Sequence, residues 1–193
     1  GVSDAIANLT DNDNTTSDNL DSIDAEDTDV AITVTDAVTA AQGAAVAAAT
    51  TGTVVYTTGI SDALSNLASN GSTTANLDAI DAKDTDVAIT ISDNAGASVD
   101  ADDLSAVGGA TTGTVTVTNA LNISGTQAET TAALVTNATK VTASTSNVTV
   151  SDAVTAAQGA AIADATTGTV VYTTGISDAI ANLTDNDNTT SDN

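Results

Sequence analysis

The residues best equipped for chemistry in this sequence are carboxylates that recur at short spacing in two copies of one segment. Asp11, Asp13 and Asp18 lie in the first copy, and Asp185 and Asp187 lie in the second. Calcium takes about six to eight oxygen ligands, and alternating aspartates in a loop can supply several of them. The glycine and the bidentate glutamate of a helix-loop-helix calcium loop are missing here. We therefore predict these aspartates as candidate calcium ligands, with a solvated, charged loop as the alternative.

A second acidic group consists of Asp100, Asp102 and Asp103, which come directly before an apolar stretch. Negative charge is favourable in the first turn of a helix, where backbone N–H groups point outward. The sequence therefore predicts a helix N-terminus at these residues.

Composition removes most of the groups that catalysis uses. The 193 residues include no Cys, His, Met, Trp, Phe or Pro, and the only cationic side chains are Lys83 and Lys140. Without imidazole or thiol, the reactive groups are Ser, Thr, Tyr, Lys and carboxylates, and no acid and base pair stands out among them. We therefore expect a protein that is not an enzyme and requires no cofactor, with calcium as the ligand that its carboxylates favour.

The charge of the chain restricts its partners. The formal net charge is −24 at pH 7, which repels nucleic acid phosphates and anionic lipid surfaces. The chain has no run of about 18 apolar residues, so we expect no membrane insertion. Its hydrophobic content of 41% is too high for a disordered chain. These features predict a folded protein that binds neither nucleic acid nor membranes.

The chain repeats itself over a long period. Residues 175–193 copy residues 1–19 with one change, from Val2 to Ile176. Shorter near-copies divide this period into thirds: residues 36–58 match residues 152–174, and residues 24–34 match residues 81–91. We predict repeat units at 1–58, 59–119 and 120–174, with residues 175–193 starting the next repeat of 174 residues. Solenoids normally end in polar caps, and neither end resembles one, so both ends are expected to meet another copy.

Two kinds of short strand recur in these units. Val30, Ile32 and Val34 alternate with small or polar residues, which indicates a strand with one buried face. The second kind has Val54 and Tyr56 at alternate positions, and we interpret the tyrosine as a packing residue. Equivalent apolar residues occur in the other units: Val87, Ile89 and Ile91; Val148 and Val150; Val115 and Val117; Val170 and Tyr172.

Helix signals lie between the strands. A threonine followed three residues later by Gln or Glu predicts a capping box that starts a helix. Glycines stand where these helices should end, and we expect them to be left-handed. The SDAIANL and SDALSNL segments predict short helices that begin at a capping Ser or Asp. The boxes are Thr39 with Gln42, Thr126 with Glu129 and Thr155 with Gln158, and the glycines are Gly52, Gly113 and Gly168.

The alternation of helices and strands predicts an α/β solenoid with stacked parallel strands and short helices. An all-β parallel solenoid is the alternative, with the alanine-rich residues 40–49 and 156–165 forming strands or loops. If the strands stack in register, Thr33, Thr90 and Thr149 form one outward row, and Thr116 stands opposite Val55 and Val171 in another. Such rows resemble the ice-facing arrays of solenoidal ice-binding proteins, although threonine is also an ordinary exposed strand residue.

Four phrases of the sequence resemble repeats of very large secreted or cell-surface bacterial proteins, notably cyanobacterial ones, of adhesin-like or hemolysin type. The phrases are ISDALSNL, NLDAI, DTDVAITISD and DAVTAAQGAA. The resemblance implies an extracellular or cell-surface location and a structural or adhesive role. The glycine-rich nonapeptide of calcium-binding toxin repeats is absent, so the resemblance identifies no calcium ligand.

These observations favour a structural component of an extracellular filament, sheath or surface layer, built from repeats that stack end to end. The expected partners are other copies of the chain. The alternative is an adhesin stalk or a ligand-binding solenoid that acts on a glycan, ice or a mineral surface.

Overall fold

Short strands and short helices alternate along the chain. The computed structural model describes residues 1–12, 14–139 and 141–184. Its strands are β1 (Val2–Asp4), β2 (Ile32–Val34), β3 (Val54–Tyr56), β4 (Ile60–Asp62), β5 (Ala68–Ser69), β6 (Ser72–Thr73), β7 (Ile89–Ile91), β8 (Ser98–Asp100), β9 (Val115–Val117), β10 (Asn122–Gly125), β11 (Asn147–Val150) and β12 (Val170–Tyr172). Its helices are α1 (Ile6–Leu9), α2 (Asp18–Glu26), α3 (Ala40–Ala48), α4 (Leu64–Leu67), α5 (Ala75–Asp81), α6 (Ala101–Gly109), α7 (Gln127–Leu134), α8 (Ala156–Asp164) and α9 (Ile180–Leu183).

The fold is a mixed α/β structure with several parallel sheets. The first sheet has the strand order β1-β2-β3, the second β4-β7-β9, and the third β12-β11-β10-β8. A short antiparallel pair, β5 with β6, lies apart from these sheets. The first sheet is formed by residues 2–56, the second by residues 60–117, and three of the four strands of the third by residues 122–172. Each predicted repeat unit therefore supplies three strands to one sheet.

Single parallel bridges extend these sheets with residues of a neighbouring unit. Val38 pairs with Ile60 at the edge of the second sheet, and Thr142 pairs with Thr116 at its other edge. Val154 pairs with Ile176 in the same way near the end of the described residues. Successive units are therefore linked by backbone pairing as well as by chain connectivity.

The strands bury one face, as their alternation predicts. Val2 pairs with Ile32, and Ile32 pairs with Val54 in register, so the apolar side chains stack across the sheet. Ile32 is only 1% exposed and Val54 is fully buried. Helices pack on one another beside the sheets, with α3 against α5, α6 against α7 and α7 against α8. Within the described residues, no helix is both long enough and apolar enough to cross a membrane.

The helices begin where the capping boxes predict. Thr39, Thr126 and Thr155 each accept a hydrogen bond from the backbone N–H three residues later, and the Gln or Glu side chain at that position accepts one in return. The alanine-rich segments are the helices α3 and α8. The all-β alternative is therefore wrong.

The caps of the shortest helices differ from the prediction. The N-cap residues of α1 and α4 are Ala5 and Ala63, and neither helix has a side-chain cap from its own Ser or Asp. Instead, Asp36 Oδ1 accepts from the Ile6 N–H at 2.7 Å. In the next unit, Asp93 accepts from the Leu64 N–H at 2.7 Å. The capping carboxylate comes from the segment that follows the neighbouring strand, about 30 residues later in sequence.

The prediction of left-handed glycines at the helix ends is also wrong. The helices end several residues earlier, with C-cap residues at Ala49, Ala110 and Ala165. The glycines are required because another backbone passes beside them: a Cβ at Gly113 would overlap the Asp86 carbonyl oxygen and lie 2.6 Å from the Val87 oxygen. A Cβ at Gly52 or Gly168 would meet a neighbouring backbone in the same way. Glycines with positive φ are found instead at Gly59, Gly71, Gly96 and Gly175.

Gly52, Gly113 and Gly168 each end a Thr-Thr-Gly sequence, and the first threonine of that sequence links two neighbouring segments by hydrogen bonds. Thr111 Oγ1 donates to the Val87 carbonyl oxygen at 2.7 Å and accepts from the Gly113 N–H at 2.9 Å. Thr50 and Thr166 make the same two bonds in the other units, to the carbonyl oxygens of Val30 and Ser146. The Thr-Thr-Gly motif thus marks three points where one segment passes close to the backbone of the preceding one.

Candidate functional site

The structure describes two of the five predicted calcium ligands. Asp11 lies in the exposed turn between α1 and α2, where its N–H donates to the Thr15 carbonyl oxygen at 2.8 Å. Asp18 is the first residue of α2 and is also exposed. Asp13, Asp185 and Asp187 lie outside the described residues. Asp11 and Asp18 are not among the described carboxylates that come together in a group of three or more.

Among the described residues, the carboxylates that do come together are those of Asp100, Asp102 and Asp103, with oxygens within 4.8 Å of one another. Asp100 is the N-cap of α6, and the other two lie in its first turn, so the predicted helix N-terminus is confirmed. Asp102 accepts from the Asp103 N–H at 2.9 Å, and Asp103 accepts from the Gly71 N–H at 2.8 Å. These backbone bonds account for the position of both carboxylates. The three groups could also hold a metal ion by their donor type.

A groove beside α6 has a volume of about 570 Å³. Its lining includes Asp81, Thr85, Asn137 and the residues from Gly108 to Gly113. Asp81 is the one ionisable group in this lining, so the groove offers no pair of groups for acid and base chemistry.

A stronger candidate is the segment of residues 59–67, which is bound along both strand edges. Toward the strand that comes next in the chain, the Ile60 N–H donates to the Ala88 carbonyl oxygen at 2.9 Å. Asp62 O accepts from the Ser92 N–H at 2.9 Å, and Asp93 caps α4. This edge therefore binds residues 88–93.

The other edge of the same segment binds residues that come before it. The Val38 N–H donates to the Gly59 oxygen at 3.1 Å, and the Ser61 N–H donates to the Val38 oxygen at 2.8 Å. The Asp62 carboxylate accepts from the Ala40 N–H at 2.9 Å, at the first turn of α3. The strand β4, which ends at Asp62, is thus paired with another segment along each of its two edges.

The two sequence copies of this segment hold one partner each, on opposite edges. Along the strand edge, residues 1–10 pair with the following strand, through the Val2 N–H to the Ala31 oxygen at 2.8 Å and the Thr35 N–H to the Asp4 oxygen at 3.0 Å. Residues 175–184 bind only the preceding segment of the described chain, through the Ser177 N–H to the Val154 oxygen at 2.8 Å. The Asp178 carboxylate accepts from the Ala156 N–H at 3.0 Å, as Asp62 does from Ala40.

The burial of the equivalent apolar side chains also differs among the three copies of the segment. Ile6 is 6% exposed where the following strand covers it, and the equivalent Leu64 is 3% exposed. Ile180, at the same place in the last copy, is 72% exposed, and Ile176 is 52% exposed. The surface that β2 covers in the first copy therefore faces solvent in the last.

Comparisons with protein-family models, with curated proteins and with solved structures give no match. The interpretation of the site therefore depends on its own geometry.

The predicted threonine rows are wrong in their membership. Thr33 pairs with Ser3 and Val55, and Thr149 pairs with Ser124 and Val171, in two different sheets. The second sheet instead carries a continuous row of hydroxyl side chains that the sequence pattern did not indicate. This row is Ser61, Thr90, Thr116 and Thr142.

Two adjacent carboxylates recur at a DTD sequence in the first and second units. Asp84 is 9% exposed and accepts from the Tyr56 N–H at 2.8 Å, at the outer edge of β3. Burial is the main cause that raises the pKa of Asp84, and its hydrogen bond with Asp86 adds to the effect. In the first unit, a hydrogen bond with Asp29 raises the pKa of Asp27. The Asp84 carboxylate therefore accepts a hydrogen bond from the outer edge of β3, where a further strand would otherwise pair.

The stability of the fold should depend on the pH through Asp84. Because folding raises this pKa, the folded chain holds the proton more tightly, and the free energy of unfolding falls as the pH rises above the ordinary value of 3.8. D84N keeps an acceptor for the Tyr56 N–H and should flatten this part of the curve. Urea unfolding of both proteins between about pH 3 and pH 7 measures the difference.

Asp4 provides a control of opposite sign. Hydrogen bonds from the Asn8 side chain and the Ala5 N–H lower the pKa of Asp4. Its contribution to stability is therefore present above the ordinary value and is lost as the pH falls below it. D4N should remove that acid-side loss and leave the slope above it unchanged. Equal slopes for the wild type and D84N above the ordinary value would contradict the role given to Asp84.

Lys83 connects two segments through backbone carbonyls. Its ammonium group donates to the Thr50 oxygen at 2.7 Å and to the Gly52 oxygen at 3.1 Å, just beyond the end of α3. K83M keeps most of the aliphatic stem and removes both bonds, so we expect a loss of about 1–2 kcal/mol in the free energy of unfolding. K83R keeps the donors and is the matched control. Urea unfolding that shows K83M as stable as K83R would contradict the assignment.

Proposed function

We propose that this chain is the structural unit of an extracellular filament, sheath or surface layer, in which an α/β solenoid continues from one copy into the next. The observation that carries the proposal is the two-edged segment at residues 59–67. Its sequence copies at residues 1–10 and 175–184 pair in the same way, on one edge each, within the described residues. Because the same residues recur along the 174-residue repeat, further copies of the repeat have the residues to continue this pairing.

The solenoid itself is supported by the order of strand pairing. Between Val2 and Ile176, six of the parallel pairings lead along the chain, each from one turn of the solenoid to the next. Short stretches of chain within a single turn separate some of these pairings. At about 4.8 Å per step, the 174-residue repeat would advance by about 29 Å. The steps run from Val2 to Ile32, Ile32 to Val54, Ile60 to Ile89, Ile89 to Val115, Thr116 to Thr142 and Val148 to Val170.

The charge and composition fit a structural role outside the cell. A net charge of −24 keeps a long assembly soluble, and the absence of His and Cys leaves few groups for catalysis. We propose that the assembly needs no cofactor, and that calcium acts at most as a counter-ion for the acidic loops. Like charges on neighbouring copies repel one another, so joining should be favoured when salt screens them.

Electron microscopy together with sedimentation velocity tests this function. The purified chain is compared at about 10 mM and about 150 mM salt, where the screening length falls from about 30 Å to about 8 Å. We expect unbranched fibres whose amount rises with protein concentration and with salt. Monomers at every concentration and salt level would contradict the proposal.

A surface-binding module is the second candidate, and the hydroxyl row of the second sheet is the observation that favours it. Ser61, Thr90 and Thr116 are consecutive members of this row, at the spacing of neighbouring strands. Replacing Thr90 and Thr116 by lysine would abolish adsorption to ice or a mineral if this row binds it. Unchanged adsorption would exclude the row as the binding surface.

A further inference from the structure

The hairpin of β5 and β6 turns at Asn70 and Gly71. Ser69 pairs with Ser72, so the turn has only these two residues, and their φ values are 54° and 69°. Asparagine followed by glycine suits this turn, because both residues tolerate positive φ. The sequence contains this pair of residues once. The whole turn is exposed, so water reaches both residues.

An asparagine that precedes a glycine can react with its own backbone. The backbone nitrogen of the glycine can attack the side-chain carbonyl carbon of the asparagine, and glycine has no Cβ that would obstruct the approach. A neutral amide nitrogen is a poor nucleophile, and it becomes a better one when a base takes its proton. The reaction therefore requires a base beside the glycine N–H.

Such a base lies beside Gly71. Asp103 lies in the first turn of α6, and its Oδ1 accepts from the Gly71 N–H at 2.8 Å. A general base must lie about 2.6–3.2 Å from the atom whose proton it takes. The two residues are 32 positions apart, so this contact comes from the packing of the hairpin on α6 and not from the turn itself.

The nitrogen that would leave also has a polar neighbour. Asn70 Nδ2 donates to Ser69 Oγ at 3.0 Å, so a hydroxyl group lies beside it. A hydroxyl both accepts and donates hydrogen bonds, and it can therefore pass a proton to this nitrogen as the nitrogen becomes an amine. The turn thus has a base beside the nucleophile and a proton donor beside the leaving group.

From this geometry we propose that Asn70 is a self-modification site, at which Gly71 attacks with Asp103 as the general base. The Gly71 nitrogen forms a bond to Asn70 Cγ while its proton passes to Asp103. The bond from Cγ to Nδ2 then breaks, and Nδ2 leaves as ammonia with one added proton. Water opens the resulting five-membered imide at either carbonyl, which gives aspartate or isoaspartate at position 70.

The modification weakens the contact between the hairpin and α6. It adds a negative charge beside Asp103, where the carboxylates of Asp100, Asp102 and Asp103 already lie within 4.8 Å of one another. Isoaspartate also lengthens the backbone by one carbon in a turn of only two residues. Both changes separate the turn from α6, so the reaction is a slow, irreversible change that loosens the second unit as the protein ages.

The first unit provides a reference within the same chain. Its corresponding turn contains Asn12 followed by Asp13, where glycine follows Asn70 in the second unit. A side chain on the attacking residue obstructs the approach, so Asn12 should react more slowly than Asn70. The rate at Asn12 therefore measures the background reaction under the same conditions.

Mass spectrometry of the aged chain tests the proposal. D103N keeps an oxygen that can accept from the Gly71 N–H but removes the base. Folded wild type and D103N are incubated at neutral pH, denatured and cleaved with trypsin after Lys83, and fragmentation of peptide 1–83 locates the modified residue. A general base contributes about 100-fold or more, so we expect Asn70 to react at least about tenfold more slowly in D103N.

The matched control is D102N, which removes a charge from the same turn of α6 but leaves the acceptor of the Gly71 N–H in place. It should react at the wild-type rate. Equal rates for D103N and the wild type, or an equal decrease in D102N and D103N, would overturn the proposal. If D103N does not fold, the wild type decides: Asn70 should react faster in the folded chain than in urea, and a slower reaction would overturn the proposal.

Discussion

Replacing Gly113 by alanine should lower the free energy of unfolding by about 2–4 kcal/mol, a large effect for a single methyl group. The added Cβ would overlap the carbonyl oxygen of Asp86 and lie 2.6 Å from that of Val87. Both obstacles are backbone atoms, and rotation of a side chain cannot relieve them. Moving them would break the bond from Thr111 to Val87 that fastens the two segments.

Gly109 supplies the control within the same region. It lies at the end of α6, and a Cβ there would meet only the Thr139 methyl group, at 3.4 Å. Because alanine is favoured over glycine in a helix, G109A should be neutral or stabilising by up to about 1 kcal/mol. Urea unfolding measures both variants. A G113A protein as stable as G109A would contradict the close crossing of segments at the Thr-Thr-Gly motif.

The second large effect should distinguish two isoleucines that occupy the same place in identical sequence. Ile6 is 6% exposed, so I6A should cost about 2–4 kcal/mol through lost burial and a residual cavity. Ile180 is 72% exposed, so I180A should change the stability of the single chain by less than about 0.5 kcal/mol. Unfolding is measured at a protein concentration where sedimentation shows monomers.

This comparison needs no external reference, because both residues stand in the sequence IANLT. Equal losses for I6A and I180A would mean that residues 175–184 are already covered in the single chain. That result would contradict the exposure of Ile180. The predicted inequality would show that identical residues differ in energy only because β2 covers one of them.

Local structure in this chain could be predicted from sequence because it depends on neighbouring residues. Thr39 and Gln42 are three residues apart, and the capping box they form needs nothing else. The alternation around Ile32 likewise specifies a strand with one buried face. The helix N-terminus at Asp100 is explained by the same local rules.

Strand partners could not be predicted, because equivalent residues are not neighbours in space. Ile32 and Ile89 match in sequence, yet they lie in different sheets, since each unit contributes three strands to a sheet of its own. The predicted threonine rows are wrong for this reason. Gly113 was misassigned for a related reason, because its role comes from a backbone segment more than 20 residues away. Residue type alone does not distinguish a tight crossing from a left-handed turn.

The candidate site was only partly accessible from sequence. The copy of residues 1–19 at residues 175–193 indicated that one segment recurs along the repeat. The geometry adds which edge of each copy is bound, and it identifies Asp36 and Asp93 as caps supplied from a neighbouring segment. These contacts span about 30 residues, and single-sequence patterns give no signal for them.

Cryo-electron microscopy of fibres grown from the purified chain tests the central claim most directly. Strands perpendicular to the fibre axis, with six steps in each repeat, predict a meridional reflection at about 4.8 Å and a layer line at about 29 Å. Both spacings should be the same at every fibre length. Fibres without an axial spacing near the strand distance, or a chain that never forms fibres, would contradict the account.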